Sequence, residues 1–116
     1  MKEILVLGCG RVGRTICLDL ALENDITVAD ISNENLKKVE SANIETIKFD
    51  ISNKNKLREL ITGFNLIISC VPGFMGFKTL KTIIEEKKDV VDISFFPEDA
   101  LELSKLAKEK NVTAIV

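Results

Sequence analysis

The stretch LVLGCGRVGRT, residues 5–15, sets three glycines between an apolar run and a segment with helical spacing. Gly8, Gly10 and Gly13 form the pattern G-x-G-x-x-G, which binds the pyrophosphate of a dinucleotide when it joins a strand to a helix. The first glycine allows the turn, the second lets the backbone approach the phosphates, and the third lets helix and strand pack closely. The phosphates then meet the positive end of the helix. We therefore predict a dinucleotide site here, with a plain strand-to-helix turn as the alternative.

An acidic residue follows at the distance that such a site requires. Asp30 lies about 20 residues after Gly10, at the end of the second predicted strand. A carboxylate at this position accepts hydrogen bonds from both hydroxyls of the adenosine ribose. The same charge repels the 2′-phosphate of NADP, and residues 31–33 contain no arginine to attract it. NAD is therefore favoured over NADP. Lys37 and Lys38 are the nearby cations that are able to reverse this preference, but we interpret them as a solvated face of an amphipathic helix.

Size and charge limit the remaining possibilities. The 116 residues are 46% hydrophobic, which is enough for one core and too little for two ordinary domains, so we expect a single domain over 1–116. The net charge is −2 and the basic residues are dispersed, which argues against a nucleic-acid or membrane partner. The apolar run before the first glycine has only four residues, so the start resembles neither a signal peptide nor a membrane span. We expect a cytoplasmic protein.

The residues that most often carry metal or nucleophilic chemistry are scarce. Cys9, Cys17 and Cys70 are an odd number at wide spacing, which favours reduced thiols over a disulfide framework. Histidine is absent from the sequence, so we expect no zinc site and no Cys/His pair.

Short β-branched runs alternate with amphipathic segments along the whole chain, which is typical of a parallel sheet with helices on its faces. We therefore predict an α/β Rossmann fold with a six-stranded parallel sheet and helices on both faces. Ser32 and Ser52 are expected to cap helices, Gly63 to follow a helix end, and Pro97 to open the last helix. The strands are expected at 3–7, 26–29, 45–49, 66–69, 90–93 and 112–116.

Further cofactor contacts are expected where the other strands end, because ligands of such sheets lie outside the carboxyl ends of the strands. Asp50 and Ile51 end the third strand and would flank the adenine, although Asp50 is equally well explained as a polar turn residue. Cys70, Val71 and Pro72 end the fourth strand, on the nicotinamide side.

The other residues of the glycine loop have weaker signals. Arg11 and Arg14 lie close enough to the phosphates to contribute, or are merely solvated at the start of the helix. Cys9 is most simply a small residue that fits between two glycines. The full set of predicted cofactor contacts is Gly8, Cys9, Gly10, Arg11, Val12, Gly13, Asp30, Ile31, Asp50, Ile51, Cys70, Val71 and Pro72.

Two apolar clusters follow the fourth and fifth strands. Phe74 and Met75 form the first, and residues 95–97 form the second. Because they would otherwise leave an exposed apolar patch, we interpret them as a contact surface for a further domain or a second subunit. Phe77 is better explained by ordinary core packing.

The segments LVLGCGRVGRTICLDLA, ITVADIS, FDISNKNKLRELITGFNLIISCVPGF and DVVDIS together resemble the N-terminal nucleotide-binding domain of the saccharopine dehydrogenase family, including its saccharopine reductase and lysine dehydrogenase-like members. The resemblance covers essentially the whole chain, and SCVPGF followed by a helix and VVDIS is more specific than the glycine loop. It implies hydride transfer between a nicotinamide and the carbon of an imine or secondary amine, with cofactor contacts at most of the positions given above.

The resemblance also implies a second domain that binds the amino-acid substrate and supplies dimer contacts. Because this sequence stops at the sixth strand, we expect it to be a fragment of a longer two-domain enzyme, inactive alone, and we predict no catalytic residue. Asp92 is the nearest candidate, and a structural role at a strand end explains it equally well.

A different class of function fits the same fold. Nucleotide-sensing Rossmann modules that regulate potassium transporters have a similar length, although the CVPGF loop lacks the acidic and asparagine residues expected in them. An epimerase- or reductase-like protein would normally need a Tyr and Lys pair, and the sequence has no tyrosine.

Overall fold

The computed structural model describes residues 3–40, 43–94, 98 and 100–116, in which strands and helices alternate as predicted. The chain forms β1 (Glu3–Leu7), α1 (Arg11–Leu20), β2 (Asp25–Asp30), α2 (Asn33–Lys37), β3 (Glu45–Lys48), α3 (Lys54–Ile61), β4 (Leu66–Ser69), α4 (Gly73–Glu85), β5 (Asp89–Asp92), a 3₁₀ turn (Ala100–Leu103), α5 (Ser104–Lys110) and β6 (Ala114–Ile115).

The six strands form one parallel sheet in the order β3-β2-β1-β4-β5-β6. Leu7 at the end of β1 pairs with Ala29 of β2 on one side and with Ser69 of β4 on the other. The direction in which strands are added reverses between β1 and β4. This reversal opens a crevice outside the carboxyl ends of these two strands, where the ligands of such sheets bind.

Alternate side chains of each strand point to opposite faces of the sheet. Because apolar side chains point to both faces, helices cover both of them. Val6 and Val28 pack toward α1 and α2 in one buried cluster. Leu5 and Leu7 pack toward α3, α4 and α5 in the other. Both faces of the central strands are therefore buried, which explains why their sequences are continuous apolar runs. The predicted fold class is confirmed.

Some predicted boundaries differ from the structure. Ser32 caps α2 as expected, but the N-cap of α3 is Asn53 and not Ser52, because Asp50 accepts hydrogen bonds from both the backbone and the hydroxyl of Ser52. Gly63 follows the end of α3 as predicted. β6 has two residues and pairs only with β5, so the expected strand 112–116 is too long. Pro97 lies outside the described residues.

Candidate dinucleotide-binding site

The three glycines of the loop have different surroundings. Gly8 adopts a φ of 99°, and a Cβ there would lie 2.5 Å from the carbonyl oxygen of Cys70. A Cβ at Gly13 would overlap the carbonyl oxygen of Gly8. A Cβ at Gly10 would meet nothing within 4 Å. The protein itself thus requires glycine at the first and third positions, whereas only Gly10 faces open space that a ligand can use.

Backbone hydrogen bonds hold this loop between its neighbouring strands. The N–H of Gly8 donates to the carbonyl oxygen of Ala29 at 2.8 Å, and the N–H of Cys70 donates to that of Leu7 at 2.7 Å. The loop is therefore preformed at the crevice between β1 and β4, and binding a ligand does not require it to be ordered first.

Two helix N-termini face this crevice without a side-chain cap. α2 and α3 are capped by Ser32 and Asn53, whereas α1 begins after Gly10 and α4 after Pro72, and neither of these two residues supplies a side-chain hydrogen bond. The first turns of α1 and α4 contain no acidic residue, and α1 begins with the cation of Arg11. Free N–H groups and helix dipoles together favour an anion here.

Asp30 is fixed at the carboxyl end of β2 by two backbone groups. Its Oδ2 accepts a hydrogen bond from the N–H of Cys9 at 2.6 Å, and its Oδ1 accepts one from the N–H of Ser32 at 2.7 Å. Each carboxylate oxygen keeps a further lone pair for another donor. The carboxylate thus both fastens the glycine loop and remains able to accept hydrogen bonds from a ribose.

A cleft of about 690 Å³ extends along these carboxyl ends. This volume is within the range of small-molecule sites. Nine of the thirteen predicted contacts line it: Gly8, Gly10, Asp30, Ile31, Asp50, Ile51, Cys70, Val71 and Pro72.

The other four predicted contacts do not line the cleft. Cys9 is buried, and its thiol donates to the carbonyl oxygen of Asn35 at 3.5 Å, so only its backbone belongs to the loop. Gly13 packs under Gly8. Arg11 and Val12 are exposed on the first turn of α1. These side chains were assigned from their position in the motif, which does not show which way each one points.

Six residues line the cleft that were not predicted as cofactor contacts: Ser32, Asn35, Phe49, Ser52, Phe74 and Met75. Asn35 reaches the cleft because α2 begins directly after β2, and Phe49 follows β3. The Phe74 side chain is 82% exposed, so the predicted contact surface begins at the rim of this cleft. Phe77 packs partly buried against the core, as expected. The predicted cluster at 95–97 lies outside the described residues.

The three thiols meet near the glycine loop and are neutral. Burial, followed by neighbouring Cys9 and Cys70, raises the pKa of Cys17 to about 12. Burial, followed by Asp92 and Cys9, raises the pKa of Cys70 to about 12. Burial and Asp30 also raise the pKa of Cys9. All three cysteines are free thiols, and none is activated as a nucleophile.

Two carboxylates near the strand ends have opposite environments. The hydroxyl and N–H of Ser52 lower the pKa of the exposed Asp50. Burial raises the pKa of Asp92, against the opposing effect of Ser94, whose N–H donates to Asp92 Oδ1 at 2.7 Å. Asp92 does not line the cleft, which favours the structural reading of this residue.

Within the described ranges, no three cysteine or acidic side chains converge as ligands for a metal ion. The helices of that same part of the chain are all too short or too polar to cross a bilayer.

The strand order, the preformed glycine loop, the two uncapped helices and the carboxylate after β2 define a dinucleotide-binding domain of the Rossmann class. The chain belongs to the family described as the saccharopine dehydrogenase NADP-binding domain, whose model matches residues 4–115. The predicted family is therefore confirmed. The cofactor is a nicotinamide dinucleotide, and the family description names NADP, whereas the sequence interpretation of Asp30 favoured NAD.

Curated relatives agree with this family. The chain is 31% identical over 119 residues to the NADP(+)-dependent, L-glutamate-forming saccharopine dehydrogenase of Pyricularia oryzae, and 26% identical over 118 residues to the mitochondrial alpha-aminoadipic semialdehyde synthase of Mus musculus. Each match covers 98% of this chain but only 26% of the fungal protein and 13% of the mouse protein.

Solved structures show the same fold. Apo saccharopine dehydrogenase (L-Glu forming) from Saccharomyces cerevisiae matches with a TM-score of 0.86 at 24% identity, over 98% of this chain and 26% of that one. The TrkA-N domain of the inner membrane protein ybaL from Escherichia coli matches with a TM-score of 0.69 at 14% identity, over 99% of this chain and 86% of that one.

Proposed function

We propose that this chain is the cofactor-binding part of an amino-acid oxidoreductase that transfers hydride between a nicotinamide and the carbon of an imine or secondary amine. The observation that carries the proposal is Gly10, whose open space lies at the uncapped start of α1 in a chain of the saccharopine dehydrogenase family. The bound dinucleotide would supply the hydride carrier. This chain would supply its binding groups, and the substrate and the proton-transfer groups would be bound or provided by another part of the enzyme.

The residues of the cleft fit such a cofactor. The pyrophosphate would lie over Gly10 and the first turns of α1 and α4, where free N–H groups meet a negative charge. The adenosine ribose would donate its hydroxyls to Asp30, and the adenine would lie near Ile51. Cys70 and neighbouring residues at the end of β4 would border the nicotinamide half.

Titration of the purified chain with NADH and NADPH, followed by nucleotide fluorescence, tests the proposal. The matched variants Gly10→Ala and Gly63→Ala add one methyl group each in open space, the first in the cleft and the second after α3. Gly10→Ala is expected to weaken binding at least about tenfold, equivalent to about 1.4 kcal/mol, and Gly63→Ala to leave it unchanged. The proposal would be disproved if neither NADH nor NADPH bound at millimolar concentration.

The competing reading is a nucleotide-sensing module. The likeness to the TrkA-N domain shows the shared fold alone at 14% identity, whereas the family match covers residues 4–115. Hydride transfer to any amino-acid substrate by the longer protein would rule out a purely sensing role. A change in assembly on nucleotide binding without any turnover would favour it.

The remaining parts of the proposal concern the whole protein. The curated relatives are several times longer than this chain, which supports a second, substrate-binding domain. The three free thiols are in keeping with a reducing compartment such as the cytoplasm. The exposed Phe74 supports association with a second subunit, and light scattering of the concentrated chain would show whether it forms a homodimer.

A further inference from the structure

A second concavity lies between α3 and α4, beside the cofactor cleft. This α3–α4 groove has a volume of about 640 Å³, close to that of the cleft itself. It shares four lining residues with the cleft: Ile51, Ser52, Phe74 and Met75. The predicted dinucleotide contacts account for the cleft, and apart from the exposed Phe74 they leave the groove without an assigned occupant.

The groove combines an apolar floor with a basic rim. The half-buried Met75 contributes apolar surface to its floor, and Phe74 projects at the end that meets the cleft, whereas Leu57 lies beneath the floor and is only 2% exposed. The rim carries Lys54, Lys78 and Lys81. The described lining includes no acidic residue, although the chain as a whole carries a net charge of −2. A local cluster of positive charge on a protein with a negative net charge attracts a negatively charged partner to that site.

Two of the three rim lysines form no ion pair within the described part of the chain. Lys54 has one long ion pair with Glu85, at 3.9 Å, and its side chain remains 55% exposed. Lys78 and Lys81 are exposed and form no ion pair with any described residue. Their ammonium groups are therefore available to carboxylates of a partner.

We propose that the α3–α4 groove is a docking site for an acidic, amphipathic segment of a partner protein, whose carboxylates contact the lysine rim and whose apolar face covers Met75 and Phe74. A mixed apolar and basic surface of this length suits a polypeptide better than a purely ionic ligand, because its floor gains from apolar burial. The segment would adjoin a bound dinucleotide through the shared residues.

A fluorescent amphipathic peptide of glutamate and leucine, about 18 residues or five helical turns long, serves as the probe. We expect the purified chain to bind it, and the double charge reversal Lys78→Glu with Lys81→Glu to weaken binding at least about tenfold. The matched control is Lys105→Glu with Lys108→Glu, which has the same spacing on exposed positions of α5 and is expected to change little.

Three outcomes overturn the proposal: no binding of the peptide, equal losses in both charge-reversed variants, and equally tight binding of a glutamate peptide without leucines. Equally tight binding of the peptide without leucines would show that the groove binds negative charge and gains nothing from apolar contacts. NADH titration of the same samples separates this proposal from the proposed function. A chain that binds NADH but not the peptide refutes only the docking site, and a chain that binds the peptide but no dinucleotide refutes only the cofactor role.

Discussion

The carboxylate of Asp30 accepts a 2.6 Å hydrogen bond from the backbone N–H of Cys9, across the carboxyl ends of β2 and β1. Its second oxygen accepts from the N–H of Ser32 at 2.7 Å. One side chain therefore joins the glycine loop to the turn that precedes α2, and its negative charge is held beside the cleft. The carboxylate that holds the glycine loop is thus the same one that is predicted to bind the ribose of the cofactor.

The first prediction concerns that choice. Because the two hydrogen bonds fix the charge of Asp30 where the ribose is expected, we expect NADH to bind at least about tenfold more tightly than NADPH. The family description names NADP, so competitive titration of both nucleotides gives a clear decision. Tighter binding of NADPH would show that nearby cations, Lys37 and Lys38 among them, outweigh the carboxylate.

The second prediction concerns stability without nucleotide. Asp30→Ala removes the acceptor for two backbone N–H groups and is expected to lower the free energy of unfolding by about 2 kcal/mol, measured by urea denaturation. Asp25→Ala, at an exposed position of the same strand, is the control and is expected to have little effect. Equal stability of the Asp30 variant and the wild type would mean that these hydrogen bonds do not support the loop.

The third prediction separates the glycines. Gly8→Ala and Gly13→Ala each drive a methyl group into backbone atoms, and we expect each to destabilise the fold by at least about 2 kcal/mol. Gly10→Ala is expected to unfold at the same urea concentration as the wild type, because its Cβ meets no atom. Unchanged stability of the Gly8 variant would contradict the 99° φ and the close approach to Cys70.

The fourth prediction concerns the thiols. Since pKa values of about 12 leave almost no thiolate on Cys17 and Cys70 at pH 8, we expect Ellman's reagent to modify the native chain slowly. In concentrated urea all three cysteines are expected to react rapidly. NADH is expected to slow the reaction of Cys70 further, because that residue lines the cleft. Rapid labelling of a native thiol would contradict this environment.

Local patterns predicted the parts of the site that the backbone itself builds. The glycine spacing and the acidic residue after the second strand define one strand–turn–helix–strand unit, so Gly8, Gly10 and Asp30 could be assigned before the structure. Parallel pairing then brought the end of β4, with Cys70, to the same edge. The alternation of apolar runs was sufficient for this, because buried parallel strands leave little choice of pattern.

The remaining features depend on packing between distant segments. Asn35 reaches the cleft only because of the direction in which α2 leaves the sheet, and no local signal marks it. The cap of α3 moved from Ser52 to Asn53 because Asp50 competes for the Ser52 hydroxyl, a choice among neighbouring polar residues of similar propensity. The groove between α3 and α4 requires the relative position of two helices, which periodicity does not provide.

The last prediction concerns pH and the buried carboxyl of Asp92. Burial raises its pKa in the folded state, so the native protein favours the neutral acid. The stabilisation that the neutral carboxyl of Asp92 provides is fully present at a pH below its pKa in the unfolded state. It is lost as the pH rises through its pKa in the folded state. We therefore expect Asp92→Asn to gain stability relative to the wild type as the pH rises above about 4, the ordinary pKa of an aspartate, as measured by urea unfolding at several pH values.

Asp50→Asn is the matched control with the opposite sign. Because Ser52 lowers the pKa of Asp50, the contribution of Asp50 is present above its unfolded pKa and is lost as the pH falls. The exposed position of Asp50 predicts a small effect. The stability of the Asp92 variant relative to the wild type should thus rise as the pH increases above about 4, whereas that of the Asp50 variant should fall slightly as the pH approaches about 4 from below and stay constant above it. A stability difference for Asp92→Asn that is constant across this range would show that burial does not shift the titration of Asp92.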